Sequence, residues 1–94
     1  MRLPVTVLNV LGDRYKILVR PIKEFGRCFY NENKVVLRSN QSIDQARDTL
    51  LHEVMHAIDY TYSLKLTESQ IRVLATSLRA VFTANPKFGK WVSE

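Results

Sequence analysis

Apolar and polar residues alternate through the first part of the chain, as they do in β-strands that bury one face. The alternation is clearest over residues 3–10 and 15–19. Two further apolar runs, residues 26–30 and 34–38, flank a short polar loop and predict a hairpin. Residues 1–40 are therefore expected to form a small sheet of three or four strands, mostly antiparallel.

The second part of the chain has the spacing of amphipathic helices. Ser42 and Thr67 each stand three residues before a glutamine, which is the pattern of a helix-opening capping box. The pattern predicts one helix over residues 42–62, a second over 67–84 and a short closing segment over 86–93. The expected fold class is α+β, in one domain of 94 residues.

The first predicted helix contains the motif His-Glu-x-x-His, formed by His52, Glu53 and His56, and it holds both histidines of the chain. Histidines four residues apart lie one turn above each other on a helix, so two imidazole nitrogens can bind one zinc ion. The glutamate after the first histidine can then accept a proton from a zinc-bound water as a general base.

The apolar residues of this helix predict which way the motif faces. At about 100° per residue, His56 lies about 40° from His52, and Asp59 lies about 20° from it on the other side. The apolar stripe lies opposite, between about 120° and 240°, and consists of Ile43, Ala46, Leu50, Val54, Ala57 and Ile58. We therefore expect the histidines to face away from the sheet.

A catalytic zinc site usually has a third protein ligand, and three residues are candidates. Asp59 shares a helix with the histidines and is better placed as an outer partner that accepts an N–H from a ligand imidazole. Glu68 opens the next helix, which would fold back beside the motif after a short connection. Cys28 is the remaining candidate, although a structural thiol in a strand is the simpler reading.

Residues 49–59, followed by residues 68–75, resemble the gluzincin-type ImmA/IrrE-like metallopeptidases, and most of all their short phage and prophage versions. The resemblance implies a minimal zincin-like fold in which His52, His56 and Glu68 bind Zn²⁺. It also implies that Glu53 is the general base in hydrolysis of a peptide bond. Met55 departs from the family pattern, because many longer members have glycine at that position.

Charge and composition narrow the choice of partners. The net charge is +5, but the basic residues are scattered, so nucleic acid is not expected to be the partner. No apolar run approaches the roughly 18 residues that a membrane span needs, so no membrane partner is expected either. The single cysteine favours a reducing compartment, and we expect the cytoplasm, that of the host if a phage encodes the chain.

Three functions follow from these features. The first is a zinc metallopeptidase that cuts a regulatory protein or peptide. The second is a metal-binding interaction module of the same fold with little or no hydrolysis, and the third, resting on charge alone, is a nucleic-acid-binding domain. Three phenols, Tyr30, Tyr60 and Tyr62, are candidates for stabilising an oxyanion. Trp91 is expected to pin the closing segment to the domain, the alternative being an exposed contact with a partner.

Overall fold

The computed structural model describes residues 2–94, so Met1, the first residue of the predicted sheet region, lies outside the described residues. These residues fold into an α+β domain, as the sequence predicts. The four strands are β1 (Val7–Val10), β2 (Asp13–Arg20), β3 (Gly26–Phe29) and β4 (Lys34–Arg38), and the three α-helices are α1 (Ile43–Tyr62), α2 (Glu68–Ala84) and α3 (Pro86–Ser93).

The strands form one mixed sheet in the order β1-β2-β4-β3. The β1–β2 and β3–β4 pairs are antiparallel, and the β3–β4 pair is the predicted hairpin. β2 and β4 are parallel neighbours, with Ile17 opposite Val35 and Val19 opposite Leu37. The hairpin of β3 and β4 therefore joins the sheet through β4, and β3 is left at an edge.

Helix α1 lies on the sheet and closes the main core. The buried residues of this core are Val10, Tyr15, Ile17, Val35, Leu37 and Ala57. The predicted stripe of α1 is only partly correct, because Ile43 is 46% exposed whereas Thr49 and Glu53 are buried. The most buried side of α1 is therefore rotated from the predicted apolar stripe towards the histidines. This difference arises because β3 lies directly over Thr49 and Glu53.

The two long helices begin where the sequence predicts, with one difference in detail. Thr67 accepts from the backbone N–H of Gln70, whose side chain accepts from the Thr67 backbone N–H, so this capping box is complete. Ser42 accepts from the backbone N–H of Gln45, but the Gln45 side chain donates to Thr49. The first box is therefore half formed, because a bond within the helix competes for its glutamine.

Helix α2 packs against α1 through Ile71 and Ala75, and α3 packs against the end of α2. The ring of Phe88 stacks on Phe82 at a centroid distance of 6.1 Å. Trp91 is 73% exposed, so the prediction that it pins α3 to the domain is wrong, since Phe88 makes that contact. No helix within residues 2–94 has the length and apolar content needed to cross a membrane.

Candidate metal centre

Three side chains meet at one point between α1 and α2. Nε2 of His52 lies 2.6 Å from Oε1 of Glu68, and Nε2 of His56 lies 3.0 Å from Oε2 of the same carboxylate. The two Nε2 atoms are 3.1 Å apart. Two ring nitrogens facing each other at this distance repel unless a proton or a cation lies between them, so either a shared proton or a bound cation satisfies this contact.

The donor set fits zinc in kind, and its donor atoms, 2.6–3.1 Å apart, lie closer together than the ligands of a bound zinc would. Two imidazole nitrogens and a carboxylate oxygen are ligands that zinc commonly takes, and at bond lengths of about 2.0–2.1 Å tetrahedral ligands lie about 3.3 Å apart. The donor atoms of His52 and His56 also form, with Glu53, a group in which each lies within 4.8 Å of the others. Of the two acids, Glu68 is the better candidate for a third ligand, because its carboxylate contacts both rings.

The loop between α1 and α2 places Glu68 beside the histidines. Ser63 and Lys65 adopt left-handed backbone conformations that turn the chain sharply. Oδ1 of Asp59 then accepts from the backbone N–H of Leu66, 3.0 Å away, two residues before Glu68. Asp59 therefore anchors the loop that presents Glu68. Its predicted contact with a ligand imidazole stays a prediction.

Glu53 lies beside the ligands on the buried side of α1, with 4% of its surface exposed. Burial, together with the nearby charge of Glu68, raises the pKa of Glu53 to about 7. Burial likewise lowers the pKa of His56, although the Glu68 carboxylate opposes this shift. A neutral imidazole is the form that binds a metal, and a carboxylate with a raised pKa is a stronger base.

Sequence reasoning missed the residues that hold β3 against α1. Gly26 leaves room for this approach, because a Cβ on it would lie 2.5 Å from Cγ2 of Thr49 and 3.3 Å from Cγ of Glu53. The Gln41 side chain donates to the carbonyls of Phe25 and Arg38, and its Oε1 accepts from the Thr49 hydroxyl. A glycine opening a strand run was the one signal in the sequence that pointed to this close contact.

A groove of about 560 Å³ lies between β3 and α1 and includes the candidate metal centre. One wall is formed by β3 and its flanks, from Phe25 to Tyr30, and the other by α1 and the first turns of α2 as far as Arg72. Either strand of the predicted hairpin, residues 26–30 or 34–38, could supply the sheet edge beside this groove as far as the sequence shows. The strand order gives this edge to β3, since β4 is paired on both sides.

The structure distinguishes the three candidate phenols. Tyr30 lines the groove, and its ring stacks on Tyr60 at 4.4 Å with the planes 3° apart. Tyr62 is 61% exposed and does not line the groove. Burial, followed by the nearby Cys28 and Glu53, raises the pKa of Tyr30 to about 12, so its hydroxyl keeps its proton and can donate a hydrogen bond.

Cys28 also lines the groove, with its side chain partly buried against the core. Burial and the neighbouring Glu53 raise the pKa of its thiol to about 12. A reactive cysteine needs the thiolate, which this environment disfavours. The surroundings of Cys28 therefore favour a structural thiol over a reactive one.

Comparisons with known proteins give no relative from which a role could be transferred. No protein-family model, no curated protein and no solved structure matches the chain.

Proposed function

We propose that the protein is a zinc-dependent metallopeptidase of the ImmA/IrrE-like kind, cutting a regulatory protein or peptide. The observation that carries the proposal is the convergence of His52, His56 and Glu68 on one point. Glu53 lies directly beside this point, buried and with a raised pKa. Two histidines, an acid ligand and an adjacent base are the parts that zinc-assisted hydrolysis requires.

Each residue has a distinct task in this reaction. Bound zinc would supply a Lewis acid that polarises the peptide carbonyl and makes a water molecule more acidic. Glu53 accepts a proton from the attacking water and returns it to the amine that leaves. Tyr30, protonated and lining the same groove, donates a hydrogen bond to the oxygen on which negative charge develops.

The groove supports an extended peptide as the substrate. β3 lies at a sheet edge, and its residues Gly26, Arg27 and Cys28 line the groove. A peptide that adds to this edge as a further strand forms backbone hydrogen bonds that do not depend on its sequence. Such pairing aligns a peptide bond with the site, which lies across the groove on α1.

A cleavage assay with matched variants tests the proposal. The wild type, loaded with one equivalent of zinc, is incubated with fluorescein-labelled casein and with a mixed peptide library. We expect cleavage by the wild type and none by Glu53→Gln, which keeps the three ligands and removes the base. Asp44→Asn is the control, because it removes an exposed acid of the same helix that pairs with Arg79 away from the groove.

The outcome also distinguishes a peptidase from an interaction module. Zinc binding by both proteins, with no difference between wild type and Glu53→Gln on any substrate, would overturn the peptidase and favour the metal-binding module. DNA affinity that falls steeply with salt and survives His52→Ala would favour the nucleic-acid reading instead.

A further inference from the structure

Charge and apolar surface are unevenly distributed after Glu68. Residues 69–94 include four basic side chains and one acid, Glu94, which follows the last residue of α3. Two of the four are used elsewhere, because Arg79 pairs with Asp44 and Arg72 lines the groove. The other two lie on α3, so the basic residues available for an external partner in this part of the chain are Lys87 and Lys90.

The same helix carries large apolar side chains that the domain covers only in part. Trp91 is 73% exposed, Val92 55% and Phe88 46%. We call these three residues, together with Lys87 and Lys90, the α3 surface. In a helix of eight residues, this surface combines an indole, two other apolar side chains and two ammonium groups.

The domain fixes the position of the α3 surface. Pro86 stands in the first turn, and the Phe88 ring stacks on Phe82. Gly89 lies so close to this contact that a Cβ on it would be 3.0 Å from Cδ1 of Phe82. The helix is therefore held against α2 by one side, and Trp91 remains exposed.

Helix α2 also has an exposed side that carries no charge. On its helical wheel, the side turned away from Ile71 and Ala75 includes Val73, Ser77, Ala80, Val81 and Ala84. Two of these are large apolar residues that are exposed, Val73 to 61% and Val81 to 44%. Phe82, which contacts α3, lies on the opposite side of the wheel, so this uncharged side of α2 is separate from the α3 surface.

We infer that the α3 surface docks on an anionic lipid surface. Indole rings favour the boundary between headgroups and acyl chains, and lysines beside them attract acidic lipids. A second copy of the chain fits less well, because it would bring the lysines of two +5 molecules together. The expectation of no membrane partner rested on the lack of a spanning segment, which a surface contact does not need.

Trp91 is the single tryptophan of the chain, so its fluorescence reports on this surface alone. The full chain is titrated with vesicles of phosphatidylcholine and with vesicles of equal parts phosphatidylglycerol and phosphatidylcholine. We expect a blue shift and quenching by brominated acyl chains with the anionic vesicles, and neither with pure phosphatidylcholine. The shift should weaken as salt is raised.

Two double variants of equal net charge distinguish binding through the α3 surface from the general attraction of a basic protein to anionic vesicles. Each replacement of a base by an acid removes two charges, so Lys87→Glu/Lys90→Glu and Arg14→Glu/Lys23→Glu both change the net charge from +5 to +1. All four side chains are exposed, so both variants are expected to fold, which a melting curve checks. The α3 variant should lose about tenfold or more in vesicle affinity, and the control about twofold or less.

Four results would overturn the inference. They are no spectral change with anionic vesicles, an equal loss of affinity in the two variants, the same blue shift from raising protein concentration without lipid, and the same shift with soluble poly-L-glutamate. The third result would assign the surface to a second copy, and the fourth to an acidic polypeptide.

Discussion

Gly26 and Thr49 lie in direct contact, so that a single methyl group added to the glycine would come within 2.5 Å of Cγ2 of the threonine. This contact joins the edge strand β3 to the helix that carries the histidines. It also places β3 over Glu53. The closeness of β3 to α1 therefore sets both the width of the groove and the burial of Glu53, the candidate base.

Gly26→Ala is expected to force β3 away from α1. The branched Thr49 side chain has little rotamer freedom in a helix, so the clash should lower the free energy of unfolding by about 1–3 kcal/mol. Thr49→Ser removes Cγ2 and keeps the hydroxyl that bonds Gln41. Urea unfolding of the two single variants and the double variant should show that Thr49→Ser recovers most of the loss. If the losses of stability in the two single variants simply add in the double variant, the Gly26–Thr49 contact does not limit how closely β3 approaches α1.

Glu68→Gln is expected to weaken zinc binding by more than the roughly 10–100-fold that loss of an outer partner costs, because Glu68 is proposed as a direct ligand. Competition with a fluorescent zinc chelator measures the affinity. Glu53→Gln removes the other acid near the histidines and should leave the affinity nearly unchanged. A larger loss of zinc affinity in Glu53→Gln than in Glu68→Gln would make Glu53 the third ligand.

Tyr30→Phe is expected to lower kcat about 100-fold and to change KM little, because the hydroxyl acts on charge that develops in the transition state. The substrate is any peptide that the wild type releases from casein and cleaves further. Tyr62→Phe is the control, since Tyr62 is exposed and does not line the groove. A loss confined to KM would make Tyr30 a binding residue, and no loss would exclude it from the reaction.

Glu53 should give the metal-free protein a distinct dependence of stability on pH. Its pKa is about 7 in the folded protein and near 4.5 in the unfolded chain. Between these values the folded protein keeps a proton that the unfolded chain has released, so the free energy of unfolding falls as pH rises. The contribution is on the order of 3 kcal/mol.

Urea unfolding in EDTA at pH 5, 6, 7 and 8 measures this dependence. Glu53→Gln cannot titrate at this position, so its stability relative to wild type should rise with pH across that range. Parallel curves for the two proteins would contradict the raised pKa.

The parts of the structure that depend on local sequence could be predicted. A capping box needs only residues three apart, which is why Thr67 marked the start of α2. Helical spacing predicts that His52 and His56 share one side of α1, although they line the groove beside β3 and do not face away from the sheet. The short connection made Glu68 a candidate before its position was known. The α+β class followed in the same way from alternation in one half and helical spacing in the other.

The parts that depend on contacts between distant residues could not be predicted. The parallel pairing of β2 with β4 joins segments separated by a whole strand, and nothing in either segment specifies the partner. Gln41 stood in a polar turn, with no sign that it would bond both a strand and a helix. The burial of Glu53 depends on where β3 lies, so a helical wheel alone placed the buried side of α1 too far from the histidines.

The zinc content of the purified native protein tests the central claim most directly. Elemental analysis should find one zinc per chain in the wild type and in Glu53→Gln, and far less in His52→Ala. Addition of zinc to the metal-free wild type should raise its free energy of unfolding by about 4 kcal/mol at a free concentration 1,000 times the dissociation constant. A wild type that purifies without metal and gains no stability from zinc would contradict the assignment of His52, His56 and Glu68 as a zinc site.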